Sequence, residues 1–106
     1  LQSQKDKSPT LFRRLDVIMK IHAIQYNDVF LSQFQKLPKE IKKKAAKAEK
    51  LFRQNTFHPS LRMHKLEGKL HGAWSISVDM KYRIIFKPFD DGVVVFASIG
   101  LHSIYS

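Results

Sequence analysis

Cysteine is absent from the 106 residues, which excludes a disulfide framework and a zinc site built on thiolates. The sequence also lacks a run of about 18 apolar residues, so we expect no segment that crosses a membrane. The absence of cysteine fits the cytoplasmic location that we expect. Its five histidines are scattered and no carboxylates cluster beside them, so we expect neither a metal nor another cofactor. The length fits one domain with a modest core.

Acidic residues are scarce. Nine Asp and Glu stand against nineteen Lys and Arg, which gives a formal net charge of +10 and a pI near 10.0. In a small domain, such an imbalance favours a polyanionic partner, which could be nucleic acid, a membrane surface or an acidic protein. The alternative is a solvated, lysine-rich surface, and we consider it the weaker interpretation.

Residues 1–18 differ in character from the rest of the chain. They begin with the polar stretch LQSQKDKS and continue with an apolar stripe at helical spacing, formed by Leu11, Phe12, Leu15 and Ile18. Such a stripe docks either on its own domain or on a partner. We expect 1–18 to be an N-terminal extension, either partly helical or disordered, and 19–106 to be the folded domain.

Two helices are predicted after a first strand within residues 20–26. Asn27 is a good N-cap for the first helix, Pro38 separates it from the second, and Asn55 is a plausible stop. The inward positions of the first helix are predicted to be Val29, Phe30, Phe34 and Leu37, and those of the second Ile41, Ala45, Ala48 and Phe52. Most lysines lie on the other side, so the helical hairpin has one apolar and one cationic face.

A β-hairpin is predicted within residues 74–86, because apolar and polar residues alternate there with period two. A three-residue loop, 79–81, would place Val78, Ile76 and Trp74 opposite Tyr82, Ile84 and Phe86, whereas a two-residue loop would mix the faces. We therefore predict the three-residue loop. The opposite face, expected to be open to solvent, then carries Ser75, Ser77, Arg83 and Lys87, and Ile85 is its one apolar residue.

The last predicted strand is VVVFASI, apolar on both faces and therefore central, after a turn at Asp91-Gly92. The expected order is β-α-α-β-β-β. This is an α+β fold in which a helical hairpin packs on one face of a small, mainly antiparallel sheet.

The sequence resembles the RelE/ParE toxin superfamily of bacterial type II toxin–antitoxin systems, and within it the RelE/StbE and YafQ-like branch. Four motifs in order carry the resemblance: LPKEIKKKAAKAEKLF, then HPSLRMHKL-x-GKL, then WSISVDMKYRIIF, and finally IGLHSIY. They lie within residues 19–106, and the RelE-like fold that the resemblance implies has the β-α-α-β-β-β order derived above.

The resemblance implies a toxin that cuts mRNA in the ribosomal A site, inhibits translation and is neutralised by a cognate antitoxin protein. Such an endoribonuclease is independent of metal and uses the neighbouring 2′-OH as nucleophile. Its partners would be mRNA, the ribosome and the antitoxin. ParE-like members share the fold but inhibit DNA gyrase, so a gyrase inhibitor is one alternative. A catalytically weak member that binds only RNA or antitoxin is another.

The resemblance also suggests site residues. Arg83 falls where the RelE pattern has a phosphate-binding arginine, His64 matches a YafQ-like catalytic histidine, and His102 falls where relatives carry histidine or arginine. Imidazole titrates near neutral pH, so either histidine could act as acid or base. Tyr105 would stack on a base or approach the cleaved phosphate. A surface arginine paired with Asp79 or the tail is the alternative for Arg83.

The remaining candidates are predicted to contact RNA. Arg62 and Lys65 would bind backbone phosphate, Lys69 and His71 are weaker candidates, and the polar face adds Ser75, Ser77 and Lys87. The chain departs from the RelE pattern at Ser75 and Ser77, where RelE itself has two lysines. A hydroxyl cannot replace an ammonium group as a base or as a positive charge that stabilises the phosphate. The catalytically weak member that binds only RNA or antitoxin therefore remains an alternative.

Overall fold

The computed structural model describes residues 21–70 and 72–102, so the predicted extension at 1–18, His71 and Tyr105 lie outside the described residues. In chain order the strands and α-helices are β1 (Ala23–Tyr26), α1 (Asp28–Gln35), α2 (Lys39–Gln54), β2 (His64–Lys65), β3 (Trp74–Ser77), β4 (Tyr82–Pro88) and β5 (Val93–Leu101). Short 3-10 turns precede β2, β3 and β5. The predicted α+β class is confirmed.

Both helices begin where the sequence predicted, and α2 ends at the predicted stop, but α1 ends at Gln35 and so does not include Leu37. The Asn27 side chain accepts a hydrogen bond from the Phe30 backbone N–H at 2.8 Å, which satisfies one unpaired donor of α1. Asn55 is the C-cap of α2. One inward position was wrong, because Val29 is 54% exposed whereas Phe30 is buried. Within the described residues, neither helix is both long and apolar enough to cross a membrane.

The sheet has five strands in the order β1-β5-β4-β3-β2. Only the β1–β5 pair is parallel; the other pairs are antiparallel. The sequence predicted four strands and missed β2, which consists of His64 and Lys65 alone. Two residues are too few to show an alternating pattern, so this edge strand had no signal of its own.

The register of the central hairpin is the predicted one. Trp74 lies opposite Phe86, and Ile76 lies opposite Ile84, with Val78 N–H donating to the Tyr82 carbonyl at 2.9 Å. The turn is held by Asp79, whose carboxylate accepts hydrogen bonds from the backbone N–H groups of Lys81 and Tyr82, each at 2.8 Å. This register divides the sheet into two chemically different faces.

The helix face of the sheet, meaning the face that packs on α1 and α2, contains the main core. Phe52 of α2 is fully buried, with its ring 4.9 Å from that of Phe86 and 6.1 Å from that of Phe96. The strand residues of this face include Ile24, Ile76, Ile84, Phe86, Val94, Phe96 and Ile99. The opposite face, which we call the site face, bears Ser75, Ser77, Arg83 and Ile85.

Candidate functional site

Arg83 lies at the centre of the site face. It is opposite Ser77 on β3 and opposite Gly100 on β5. A glycine beside it leaves space on that face for the guanidinium. Its Nε and Nη1 atoms are buried and have no hydrogen-bond partner among the described residues. Because an arginine guanidinium stays charged and offers only donors, these two groups lack the acceptor that they require.

A second arginine adds to this positive charge. Burial, together with the nearby positive charge of Arg62, lowers the pKa of the Arg83 guanidinium from its ordinary value. Both effects oppose the charged form, and an anion bound between the two side chains would relieve both. Planar guanidinium groups bind phosphate with paired hydrogen bonds, so phosphate suits this position.

Asp79 is not the acceptor that Arg83 lacks. Its carboxylate is engaged by the hairpin turn and forms an ion pair with Lys44 at 3.4 Å. Partial burial tends to raise the pKa of Asp79, but the backbone N–H groups of Tyr82 and Lys81, and then Lys44, lower it overall. Among the described residues the structure therefore does not show the alternative in which Arg83 pairs with Asp79.

His64 reaches the same face from β2, where it lies opposite Ser75. Its Nδ1 is 3.3 Å from the Arg62 carbonyl oxygen and 3.5 Å from Ser75 Oγ. A carbonyl oxygen can only accept, so these contacts favour the tautomer with hydrogen on Nδ1. The lone pair is then on Nε2, and the exposed imidazole can accept a proton there.

The prediction that Ser75 lies on an open face was wrong. Ser75 is 2% exposed, because Leu66 and Ala73, on the connection from β2 to β3, form a second buried cluster with Ile85. The site face is therefore partly covered, and Ser75 contacts His64 rather than solvent. Ser77 is half-buried, and its hydroxyl donates to the Asp79 carbonyl at 2.8 Å.

His102 follows the end of β5. Its backbone N–H donates to the Lys81 carbonyl, which holds this end of the chain against the β3–β4 turn. Tyr105 lies outside the described residues, so its predicted part in catalysis stays a prediction.

The structure places the predicted RNA-binding lysines at three different locations. Lys65 lies opposite Trp74, which belongs to the helix face, so Lys65 does not share the face of Arg83. Lys69 is exposed in the short 3-10 turn Gly68–Leu70. Lys87 is exposed on β4, four residues and so roughly 13 Å along the strand from Arg83. Arg62, and none of these three lysines, contributes to the lowered pKa of Arg83. The contacts of the three lysines with RNA remain predictions.

Sequence reasoning missed two features of the site. The Arg62 backbone has the left-handed conformation, with φ 46° and ψ 46°, which a non-glycine residue seldom adopts and which its sequence gave no reason to expect. Lys44 and Lys47 of α2 line a cleft that also includes Arg62 and Ser77. A lysine-rich helix gives no signal of which lysines face a site, because that depends on tertiary packing.

The arrangement provides the groups for phosphodiester chemistry without a metal. Two arginines supply positive charge to a phosphate, and an imidazole with a free Nε2 lies on the neighbouring strand. Within 21–70 and 72–102, no three His, Cys, Asp or Glu side chains lie together as a metal site would require.

A known protein family matches most of this chain. The family described as "RelE-like toxin of type II toxin-antitoxin system HigB" matches residues 25–102. A comparison with curated protein sequences gives no significant match.

Solved structures with the same fold include three bacterial proteins. YafQ from Escherichia coli BL21(DE3) has a TM-score of 0.65 at 20% identity, over 76% of this chain and 93% of that one. A YoeB/ParE toxin from Agrobacterium tumefaciens has a TM-score of 0.64 at 13% identity, over 76% and 98%. A YoeB–YefM complex from Staphylococcus aureus has a TM-score of 0.60 at 22% identity, over 74% and 94%. At these identities the likeness shows the fold.

Proposed function

Because this chain belongs to the RelE-like toxin family of type II toxin–antitoxin systems described as HigB, we propose that it is a ribosome-dependent mRNA endonuclease that inhibits translation. The observation that carries the proposal is the burial of Arg83 Nε and Nη1, which have no hydrogen-bond partner in the part of the chain that the structure describes. Unpaired buried donors destabilise a fold, so their presence on this face supports a role in binding an anion. The phosphate of RNA is that anion.

The proposed reaction is an internal transesterification. The 2′-oxygen attacks the adjacent phosphorus, the bond to the 5′-oxygen breaks, and the products are a 2′,3′-cyclic phosphate and a 5′-hydroxyl. Nε2 of His64 takes the proton of the 2′-OH, and His102 gives a proton to the leaving 5′-oxygen. Arg83, with Arg62 beside it, stabilises the negative charge that accumulates on the phosphorane.

The proposed RNA partners are mRNA in the A site and the surrounding ribosomal RNA. The net charge of +10 favours these polyanions, and binding of this kind weakens as salt rises. The exposed lysines Lys47 and Lys50 of α2 supply positive charge away from Arg83. Action on ribosomes places the proposed activity in the cytoplasm.

The proposed protein partner is a cognate antitoxin. Complexes named for a toxin and its antitoxin, such as DinJ–YafQ from E. coli, share this fold. An acidic, amphipathic segment is the chemistry that would cover a cationic site of this kind. Such a segment would neutralise the toxin by occupying the surface that RNA needs.

The test is cleavage of an mRNA positioned in the A site of a programmed ribosome. We expect a discrete cut by the wild-type protein that is lost in both Arg83→Ala and His102→Ala. Arg53→Ala is the matched control, since Arg53 is an exposed arginine that pairs with Glu49 at 3.1 Å on α2. No cut by folded wild-type protein would refute the proposal, and a gyrase supercoiling assay would then test the ParE-like alternative.

A further inference from the structure

The β2–β3 ladder ends at Ser75, two residues before the end of β3 at Ser77. Leu66 N–H donates to the Ala73 carbonyl, and His64 lies opposite Ser75, so Arg62 would be the next partner, opposite Ser77. The left-handed backbone of Arg62 turns the chain away instead. Its N–H donates to the Pro59 carbonyl, and its own carbonyl contacts His64 Nδ1.

Ser77 is therefore left at a free edge. Val78 N–H donates to β4, and backbone groups of successive strand residues point to opposite sides, so the N–H and C=O of Ser77 point away from β4. On that side β2 has already ended. The described residues supply no backbone hydrogen bond to replace the missing Arg62 pair. The N–H and C=O of Ser77 thus have no backbone partner among the described residues.

A cleft of about 470 Å³ adjoins this edge. Its apolar wall is formed by Ala48 and Leu51 of α2 together with Val78, and Met80 stands at the tip of the neighbouring turn. Met80 is 80% exposed. The volume lies within the usual range of about 300–1,000 Å³ for small-molecule sites.

The rim of the cleft is cationic. Lys44, Lys47 and Arg62 line it, and Lys44 is paired with Asp79. Positive charge thus remains available from Lys47 and from Arg62, which also acts electrostatically on Arg83. Arg62 therefore links the positive charge of the cleft to that of Arg83 on the site face.

We propose that this cleft binds one nucleotide of RNA, next to the phosphodiester held at Arg83. The base packs on Leu51 and Val78, its edge hydrogen-bonds with the Ser77 N–H and C=O, and a neighbouring phosphate lies at Lys47 and Arg62. The inference rests on the proposed function and extends it to a site that selects the flanking base.

A nucleotide fits these observations better than a peptide. Addition of a peptide strand to a sheet edge relies on a series of main-chain hydrogen bonds. Along β3, among the described residues, only Ser77 points its backbone groups to the side where the pairing with β2 has ended. A base, by contrast, offers one adjacent donor and acceptor on its edge and a flat face for an apolar wall. The cationic rim supplies the charge complementarity for phosphate.

The direct test is an NMR titration of the folded wild-type protein with each of the four nucleoside 3′-monophosphates. We expect the backbone amide of Ser77 to shift, with one base giving the largest shift, while inorganic phosphate alone shifts Arg83 Nε and leaves Ser77 unmoved. Equal Ser77 shifts with phosphate and with nucleotides, or no Ser77 shift at nucleotide concentrations that saturate Arg83, would overturn the proposal. So would a Ser77 shift produced by an acidic peptide and by no nucleotide.

Variants on α2 provide the second test. Lys47→Ala should weaken nucleotide binding about fivefold, as expected for one lost charge contact at a partly exposed site. Lys43→Ala removes the same charge from an exposed position of the same helix that does not line the cleft, and it should bind as wild type. Equal weakening in the two variants would mean general charge attraction and would overturn the cleft site.

The two proposals fail separately. If ribosomal cleavage is absent but the Ser77 shift and the Lys47 effect are present, the nucleotide site stands and the endonuclease proposal falls. If cleavage occurs and Ser77 does not move, the endonuclease stands and the nucleotide site falls.

Discussion

The two faces of the central sheet differ in the kind of group that they bury. On the helix face, Phe86 and Phe96 pack around the fully buried ring of Phe52, and the strand residues that the structure shows buried in this cluster are all apolar. On the site face, Arg83 buries two donors that find no acceptor within residues 21–70 and 72–102, although it belongs to the same strand as Phe86. A single strand thus contributes to stability through one face and carries an electrostatic cost on the other.

This contrast indicates that the functional site lies on the site face. Buried polar groups are nearly always hydrogen-bonded, so an exception next to a second arginine requires an explanation. A bound anion would provide the missing acceptor and offset the repulsion between the two guanidinium groups. The helix face holds the fold together firmly enough for the site face to keep this unfavourable arrangement in the free protein.

The largest expected effect is on the helix face. Phe52→Ala should lower the free energy of unfolding by about 3–5 kcal/mol, because it removes a fully buried ring and leaves a cavity against Phe86 and Phe96. Urea denaturation followed by circular dichroism measures it. Val29→Ala is the matched control, since Val29 is 54% exposed on α1 and should change stability by less than about 0.5 kcal/mol.

If Phe52→Ala proved no more destabilising than Val29→Ala, the helix face would not be the source of stability. The comparison between the two faces would then fail at its first step.

The site face should behave in the opposite way. Arg83→Met keeps an apolar side chain of similar length and removes the unpartnered donors, so the free energy of unfolding should rise by about 1–2 kcal/mol while cleavage is lost. The same denaturation experiment measures the gain. Arg53→Met, which removes an exposed arginine paired with Glu49, should change stability by less than about 0.5 kcal/mol. A strong loss of stability in Arg83→Met would show that Arg83 is structural.

Periodicity and turn chemistry predicted most of the fold. The Asn27 cap, the Asn55 stop and the three-residue turn at 79–81 are local features, and the structure confirms each. The hairpin register could be predicted because only one loop length places all apolar side chains on one face. Strand β2 could not be predicted, since two residues show no period and their pairing depends on distant Ser75.

The site was predictable only in part. Alternation placed Arg83 and Ser77 on one face, and the structure confirms that placement. The burial of Ser75 depends on Leu66 and Ala73 folding over the sheet, and no pattern around Ser75 indicates this. The left-handed backbone of Arg62 likewise has no signal in a residue type that seldom adopts it. Both features arise from tertiary packing, which a single sequence does not display.

The smallest expected effect concerns Ser75, the one buried polar strand residue of the site face that touches a histidine. Its hydroxyl and the Arg62 carbonyl both contact Nδ1 of His64, so removing the hydroxyl leaves the carbonyl contact alone to favour the Nδ1–H tautomer. Ser75→Ala should change the free energy of unfolding by less than about 1 kcal/mol, since the contact is long at 3.5 Å. The imidazole ¹⁵N shifts of His64 should nevertheless move to the values of a mixture of tautomers, and the cleavage rate should fall a few-fold.

Ser77→Ala is the control, because its hydroxyl bonds to the Asp79 carbonyl and not to His64. Unchanged His64 shifts in Ser75→Ala would mean that the Arg62 carbonyl sets the tautomer without help, and Ser75 would then be a packing residue beside the site.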